Sequence, residues 1–290
     1  RHMTALLQTL INPMPKATAD APIGIFDSGI GGLSVAQEIA QYLPNERIIY
    51  FADTAHVPYG PRPDDEIRRL TAQAIEWLYR QGCKAVVVAC NTASAFSLDY
   101  LREHYGDALP IIGLVPALKP AVLNTKSKTV AVLATPATFR GKLIQDVMTR
   151  FAAPAKVNVM QITCLDLVPF VEHGLQMSEA CLNTLEEILT PAVRQGADYL
   201  VLGCTHYPFL KQAIHHIFGH KLTLIDSGLA VARQTARILI KNELLFEQNR
   251  QCQRQITCFV SGGNALQLKP IVMNLMAENI QWDIKNVELT

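Results

Sequence analysis

The sequence has no long hydrophobic run, no closely paired cysteines and no excess of charge of either sign. No apolar stretch approaches the roughly 18 residues of a membrane-spanning helix, and the stretch ALLQTLI near the N-terminus is broken by a glutamine. The net charge is +1, and the densest basic segment is the short RQCQR at 250–254. These features argue against a membrane protein and against nucleic acid as the primary partner.

The cysteine pattern argues for a reducing compartment. The seven cysteines are Cys83, Cys90, Cys164, Cys181, Cys204, Cys252 and Cys258. An odd count without a Cys-x-x-Cys motif fits free thiols better than a disulfide framework or a structural zinc site. We therefore expect a cytoplasmic protein, although KATADA at 16–21 loosely imitates a signal-cleavage site. Residues 1–21 are interpreted as an N-terminal extension, with Arg1 and His2 before Met3 as a cloning remnant.

Apolar runs alternate with helix-length amphipathic segments along most of the chain. Strands are predicted at IGIFD, RIIYFAD, AVVVAC, PIIGLV, TVAVLAT, KVNVMQIT, YLVLGC, LTLID and ITCFVSG. Segments 64–81 and 178–195 are examples of the predicted helices. Continuous apolar strands that alternate with helices are typical of an α/β fold, in which mostly parallel sheets are covered by helices on both faces.

A weak internal symmetry predicts two similar α/β domains, pseudo-symmetric about a central cleft. IGIFDSGIGG precedes VVVACNTAS much as VAVLATPAT precedes LVLGCTHYP. We expect a discontinuous first domain, 22–111 plus 226–290, and a second domain, 112–225. Ligands of such sheets bind at the carboxyl ends of the strands, so Cys90 and Cys204 are expected to face each other across the cleft.

Two facing thiols can invert a stereocentre. A cysteine just ahead of a helix N-terminus is expected to form its thiolate readily, and Asn91, Thr92, Ser94 and Thr205 offer caps and carboxylate donors. One thiolate could remove the α-proton of a bound amino acid while the opposite thiol protonates the other face. The two sulfurs would then lie about 6 to 7 Å apart with substrate bound.

Seven ordered motifs between Ile23 and about Gly263 carry a family resemblance: GIFDSGIGGLSV, FADTAHVPYG, VVACNTAS, GLVPALKPA, LVPFVEHG, VLGCTHYPFL and LIDSG. The chain resembles the glutamate racemases of the cofactor-independent aspartate/glutamate racemase family. The resemblance implies interconversion of L- and D-glutamate, with D-glutamate supplied for peptidoglycan. It also implies that neither pyridoxal phosphate, nor any other cofactor, nor a metal is used.

The resemblance also assigns roles to residues. It implies that Cys90 acts on D-glutamate and Cys204 on L-glutamate, with Asp27 as helper of the first cysteine and Glu172 and His206 as helpers of the second. The implied substrate-binding residues are Asp27, Ser28, Tyr59, Gly60, Asn91, Thr92, Thr205, Thr135 and Thr138. The family's GTxGT segment reads ATPAT here, which weakens the assignment of the last two as carboxylate contacts.

Other functions stay open at this point. An aspartate racemase would need a pocket shorter by about one methylene group, and a non-catalytic amino-acid-binding module would need neither thiol. The glycine loop GIFDSGIGG imitates a dinucleotide-binding loop, but Ser34 stands where the third glycine belongs. Cys90, Cys204 and His206 could hold zinc, but no second close ligand pair accompanies them. Activation by a cell-wall precursor through the N-terminal extension and assembly as a homodimer also remain open.

Overall fold

The computed structural model describes residues 13–249, 255–277 and 279–289, so residues 1–12, the basic segment 250–254 and Cys252 lie outside it. Its strands are β1 (Ile23–Asp27), β2 (Ile48–Ala52), β3 (Ala85–Val88), β4 (Ile111–Gly113), β5 (Thr129–Leu133), β6 (Asn158–Ile162), β7 (Tyr199–Leu202), β8 (Thr223–Ile225), β9 (Gln255–Val260) and β10 (Gln281–Asn286). Its α-helices are α1 (Leu33–Tyr42), α2 (Asp64–Arg80), α3 (Asn91–Tyr105), α4 (Leu118–Asn124), α5 (Pro136–Arg140), α6 (Lys142–Val147), α7 (Leu167–Glu172), α8 (Glu179–Arg194), α9 (Lys211–Phe218), α10 (Gly228–Lys241) and α11 (Ala265–Leu275).

The described strands form two parallel sheets. The first sheet has six strands in the order β10-β9-β2-β1-β3-β4, and the second has four in the order β6-β5-β7-β8. Neighbouring strands run parallel in both sheets. The predicted α/β fold with parallel sheets is therefore confirmed.

All nine predicted strands are present, and α2 and α8 end within one residue of the two predicted helices. The sequence-based prediction missed β10, because this edge strand buries only one face. Its sequence is QWDIKN, of which Trp282 is buried while both ends are exposed. Among the described helices, none has both the length and the apolar character needed to cross a membrane.

Helices cover both faces of the first sheet, which explains its continuous apolar strands. All five residues of β1 and all four of β3 are buried. Ile25 packs on the face covered by α1, α10 and α11, whereas Phe26 packs on the face covered by α2 and α3. Successive side chains of a strand point to opposite faces, so burial on both sides requires an uninterrupted apolar run.

The carboxyl ends of the strands bring the predicted site residues together. β1 lies beside β3 in the first sheet, and β5 lies beside β7 in the second. Continuing the register places Ser28 beside Cys90 and Thr135 beside Cys204. The domain boundaries proposed from the sequence stay predictions, and the one between residues 111 and 112 would fall inside β4.

Candidate active site

A small cavity lies where the carboxyl ends of the two sheets meet. It is lined from the first sheet by Asp27, Ser28, Pro58, Tyr59, Gly60, Cys90, Asn91 and Thr92, and from the second by Thr135, Val168, Cys204, Thr205 and His206. Its volume of about 20 Å³ leaves room for about one water molecule. The cleft must widen before an amino acid can bind there.

Cys90 caps the N-terminus of α3 and is 5% exposed. Its sulfur accepts a hydrogen bond from the Ala93 amide at 3.3 Å and lies 3.9 Å from the Ser28 hydroxyl oxygen. Burial raises the pKa of Cys90 well above its usual value, and the charge of Asp27 raises it further. The expectation that the helix N-terminus would ease thiolate formation is thus wrong for Cys90, because loss of hydration outweighs the amide donors. The raised pKa favours the protonated thiol.

Asp27 is the last residue of β1 and lines the cavity on the Cys90 side. One carboxylate oxygen accepts hydrogen bonds from the Gly32 amide at 2.6 Å and the Thr205 hydroxyl at 3.2 Å. The other oxygen is buried and has no hydrogen-bond partner among the described residues. Burial raises the pKa of Asp27 from 3.8 to about 6, against the lowering effect of His206. Asp27 can therefore exist with or without its proton near neutral pH.

Cys204 has a different environment, built from an imidazole and a carboxylate. Its sulfur lies 3.6 Å from His206 Nδ1, and His206 Nε2 lies 2.5 Å from Glu172 Oε1. Burial alone would lower the pKa of His206, but its hydrogen bonds to Cys204 and Glu172 raise it well above 6.5. A protonated imidazole thus directs one N–H toward the Cys204 sulfur and the other toward the Glu172 carboxylate. Both ring nitrogens already have protein partners.

The glycine loop after β1 makes room for the side chains of His206 and Glu172. A methyl group added to Gly31 would collide with the His206 ring, and one added to Gly29 would collide with the Glu172 carboxylate. Ser34, at the position of the missing third glycine, donates a hydrogen bond to the Thr205 carbonyl at 3.0 Å. These glycines therefore admit side chains of the second sheet where a dinucleotide-binding loop would admit a phosphate.

Three threonines form a hydroxyl cluster at the junction of the sheets. Thr92 Oγ1 lies 2.6 Å from Thr135 Oγ1 and 3.5 Å from Thr138 Oγ1, and the last two are 3.1 Å apart. Thr135 also caps α5 by accepting from the Thr138 amide. Ala134 and Ala137, which replace the family's glycines, are fully buried. Both threonines keep a place at the junction despite the altered motif.

Eleven of the thirteen predicted site residues line the cavity. The two exceptions, Glu172 and Thr138, lie one hydrogen bond behind it, against His206 and Thr135. The prediction missed Pro58 and Val168, which also line it. Pro58 lies within the FADTAHVPYG motif, next to the predicted Tyr59, whereas nothing in the sequence distinguishes Val168 from other core residues of its helix.

Two similar parallel sheets that each present a thiol and polar side chains to one cavity are the architecture of an α/β racemase. The family model of the Asp/Glu/hydantoin racemases matches residues 23–235. A glutamate racemase from Deinococcus radiodurans is 51% identical over 264 residues, which cover 91% of this chain and 89% of the relative. The chain belongs to the Asp/Glu/hydantoin racemase family, and it is an isomerase.

Solved structures share the whole fold. Glutamate racemase isoform RacE1 from Bacillus anthracis has a TM-score of 0.80 at 30% identity, covering 93% of this chain and 98% of that chain. The Escherichia coli glutamate racemase, solved in complex with L-glutamate and the activator UDP-MurNAc-ala, has a TM-score of 0.78 at 31% identity and covers 93% and 99%. The match extends over both sheets.

Proposed function

We propose that this protein interconverts L- and D-glutamate, with Cys90 and Cys204 as the two acid/base residues. The observation that carries the proposal is that the two thiols reach one cavity from different sheets. They are also close enough for a charge on Cys204 to raise the pKa of Cys90. The relatives and solved structures named above, all glutamate racemases, support glutamate as the substrate.

In the direction from L- to D-glutamate, the Cys204 thiolate takes the α-proton and the Cys90 thiol gives its own proton to the opposite face of the carbanion. The raised pKa of Cys90 favours the thiol form that this donation needs. The new thiol at Cys204 and the new thiolate at Cys90 are then set for the reverse reaction. His206 and Glu172 hold a proton next to Cys204. On the other side, the charge of Asp27 raises the pKa of Cys90.

The substrate carboxylates would be held by neutral donors. None of the described residues that line the cavity is Lys or Arg, whereas Ser28, Asn91, Thr92, Thr135 and Thr205 all bring hydroxyl or amide groups. Preorganised neutral donors in a dry site can stabilise a carbanion next to a carboxylate. The unpartnered oxygen of Asp27 is available to accept from the substrate ammonium group.

Proton NMR in deuterated water tests the proposal. We expect the wild type to introduce deuterium at the α-carbon of L- and of D-glutamate with inversion and without added cofactor. Cys90→Ala and Cys204→Ala should each lower racemisation by about 10³-fold or more. Exchange with aspartate alone would reassign the substrate. If the wild type binds glutamate but introduces no deuterium, the protein is a binding module.

We further propose that the product serves peptidoglycan synthesis in the cytoplasm, that a cell-wall precursor activates the enzyme and that it assembles as a homodimer. The complex of the Escherichia coli relative with UDP-MurNAc-ala supports the first two parts. Racemisation rates with and without that precursor test activation, and rescue of a D-glutamate-requiring bacterium tests the cellular role. Analytical ultracentrifugation tests the dimer, and a monomer at assay concentration would contradict it.

A further inference from the structure

Asp53, a residue to which the family resemblance gives no role, lies directly behind one wall of the cavity. It follows β2, is 1% exposed and donates its amide to the Asp27 carbonyl at 3.1 Å. Burial of a carboxylate is unfavourable unless hydrogen bonds replace its hydration. Asp53 must therefore be matched by donors from the groups packed around it.

Three side chains supply those donors. The Tyr59 hydroxyl donates to one carboxylate oxygen at 2.5 Å, and the Ser261 hydroxyl donates to the other at 2.6 Å. His56 Nδ1 lies 3.0 Å away on the solvent side, with 43% of its side chain exposed. Both oxygens thus have protein donors, and Asp53 is not among the residues that line the cavity.

Tyr59 is the link between this carboxylate and the cavity. It is fully buried, lines the cavity and packs against Phe26 with 6.0 Å between ring centroids. Gly60, which follows it, fits so tightly against Thr135 that an added methyl group would come within 2.8 Å. A displaced Tyr59 would therefore move the wall that meets the second sheet.

Ser261 connects the same carboxylate to the C-terminal part of the chain. It lies just after β9, 208 residues from Asp53, and its amide donates to the Ala52 carbonyl at 3.1 Å. Thr54 and Gly262 are joined by a further hydrogen bond of 2.9 Å. These hydrogen bonds hold the ends of β2 and β9 together beside the Tyr59–Gly60 wall of the cavity.

We infer that Asp53, with Ser261, is a positioning residue that fixes the Tyr59–Gly60 wall of the substrate cavity. The inference rests on the proposed function, since that wall matters when the cavity binds an amino acid. Asp53 acts through Tyr59 and does not touch the substrate. Its loss is therefore expected to weaken binding more than proton transfer.

Steady-state kinetics of Asp53→Asn, Tyr59→Phe, Ser261→Ala and the double variant Asp53→Asn/Tyr59→Phe test this. We expect Asp53→Asn to raise KM for glutamate about tenfold or more with kcat within about threefold, the size of effect given by loss of a hydrogen bond to a charged group. The double variant should be no worse than Asp53→Asn alone, because both changes remove the same contact. An unchanged KM, or fully additive effects, would overturn the inference.

Asp198→Asn is the matched control. Asp198 is another carboxylate saturated by donors, the Thr125 hydroxyl and the amides of Lys126 and Ser127, but it lies at the amino end of β7. Its substitution should lower thermal stability and leave KM unchanged. If Asp53→Asn fails to fold, Tyr59→Phe and Ser261→Ala carry the same kinetic test.

Crystal structures of the wild type and Asp53→Asn give a readout that does not depend on turnover. A shifted 57–60 segment in the variant supports the inference even if the wild type does not act on glutamate, which would defeat the proposed function alone. An unmoved segment overturns the inference even if the wild type racemises glutamate.

Discussion

The Cys90 and Cys204 sides of the cavity share a backbone plan and differ in chemistry. Each cysteine follows a buried strand that lies beside another strand of the same sheet. The Cys90 side offers a hydroxyl, an amide and a buried carboxyl group, whereas the Cys204 side offers an imidazole backed by a carboxylate. Similar halves can thus hold protons by different means, which suits the proposed mechanism, in which the two thiols exchange roles in each turnover.

Among changes that leave both thiols in place, the largest expected effect comes from removing one proposed helper on each side. His206→Asn and Asp27→Asn should each lower kcat/KM by about 10²- to 10³-fold. The equilibrium constant between enantiomers is unity, so kcat/KM must fall equally in both directions. The difference between the sides should show in kcat, with His206→Asn slower from L-glutamate and Asp27→Asn slower from D-glutamate.

Polarimetric progress curves started from each enantiomer measure these constants, and denaturant unfolding separates loss of fold from loss of proton transfer. If both variants lose kcat equally from both enantiomers, the assignment of one helper to each side is wrong.

A second effect concerns stability and pH. The pKa of Asp27 is raised from 3.8 to about 6 by burial, so the folded protein binds this proton more tightly than the unfolded chain. The resulting stabilisation is complete below the unfolded value and is lost as pH rises through about 6. Relative to Asp27→Asn, the wild type should lose about 2 to 2.5 kcal/mol of unfolding free energy between about pH 4 and about pH 8. Urea unfolding of both proteins across this range is the measurement, and parallel pH profiles would contradict it.

The smallest effects come from glycine substitutions that crowd one side each. Gly31→Ala pushes a methyl group into the His206 ring, whereas Gly32→Ala places one 2.6 Å from Asp27 Cβ. Each should destabilise the protein by about 1 to 3 kcal/mol, as overpacking does in a close-packed interior. Thermal unfolding gives the free energy, and kcat from each enantiomer shows which side was disturbed. Wild-type stability in both variants would mean that the loop relaxes freely.

The sequence predicts the fold well because the apolar runs are long and both faces of the strands are buried. Its failure at β10 has the same cause, since an edge strand with one buried face lacks that run. The two cysteines could be proposed from their places at strand ends. Asp27, His206 and Glu172 could be proposed through the family resemblance alone.

The remaining features depend on contacts between distant segments. Glu172 accepts a hydrogen bond from the amide of Ile30, which is 142 residues away in the sequence. No local pattern indicates this pairing. The direction of the Cys90 pKa shift was mistaken because it depends on burial by the assembled cleft. The role inferred for Asp53 likewise needs Ser261 and Tyr59 in place.

Hydrogen bonds near the cavity join the two sheets, among them Ile30 to Glu172, Thr205 to Asp27, Ser34 to the Thr205 carbonyl and Thr92 to Thr135. Moving the sheets apart to widen the cleft would break these bonds, each worth about 0.5 to 3 kcal/mol net. The contacts that assemble the two thiols therefore also resist widening of the cleft. In the proposed mechanism the same side chains also place the reacting groups. A change that speeds product release by weakening these contacts would therefore also loosen the geometry of proton transfer.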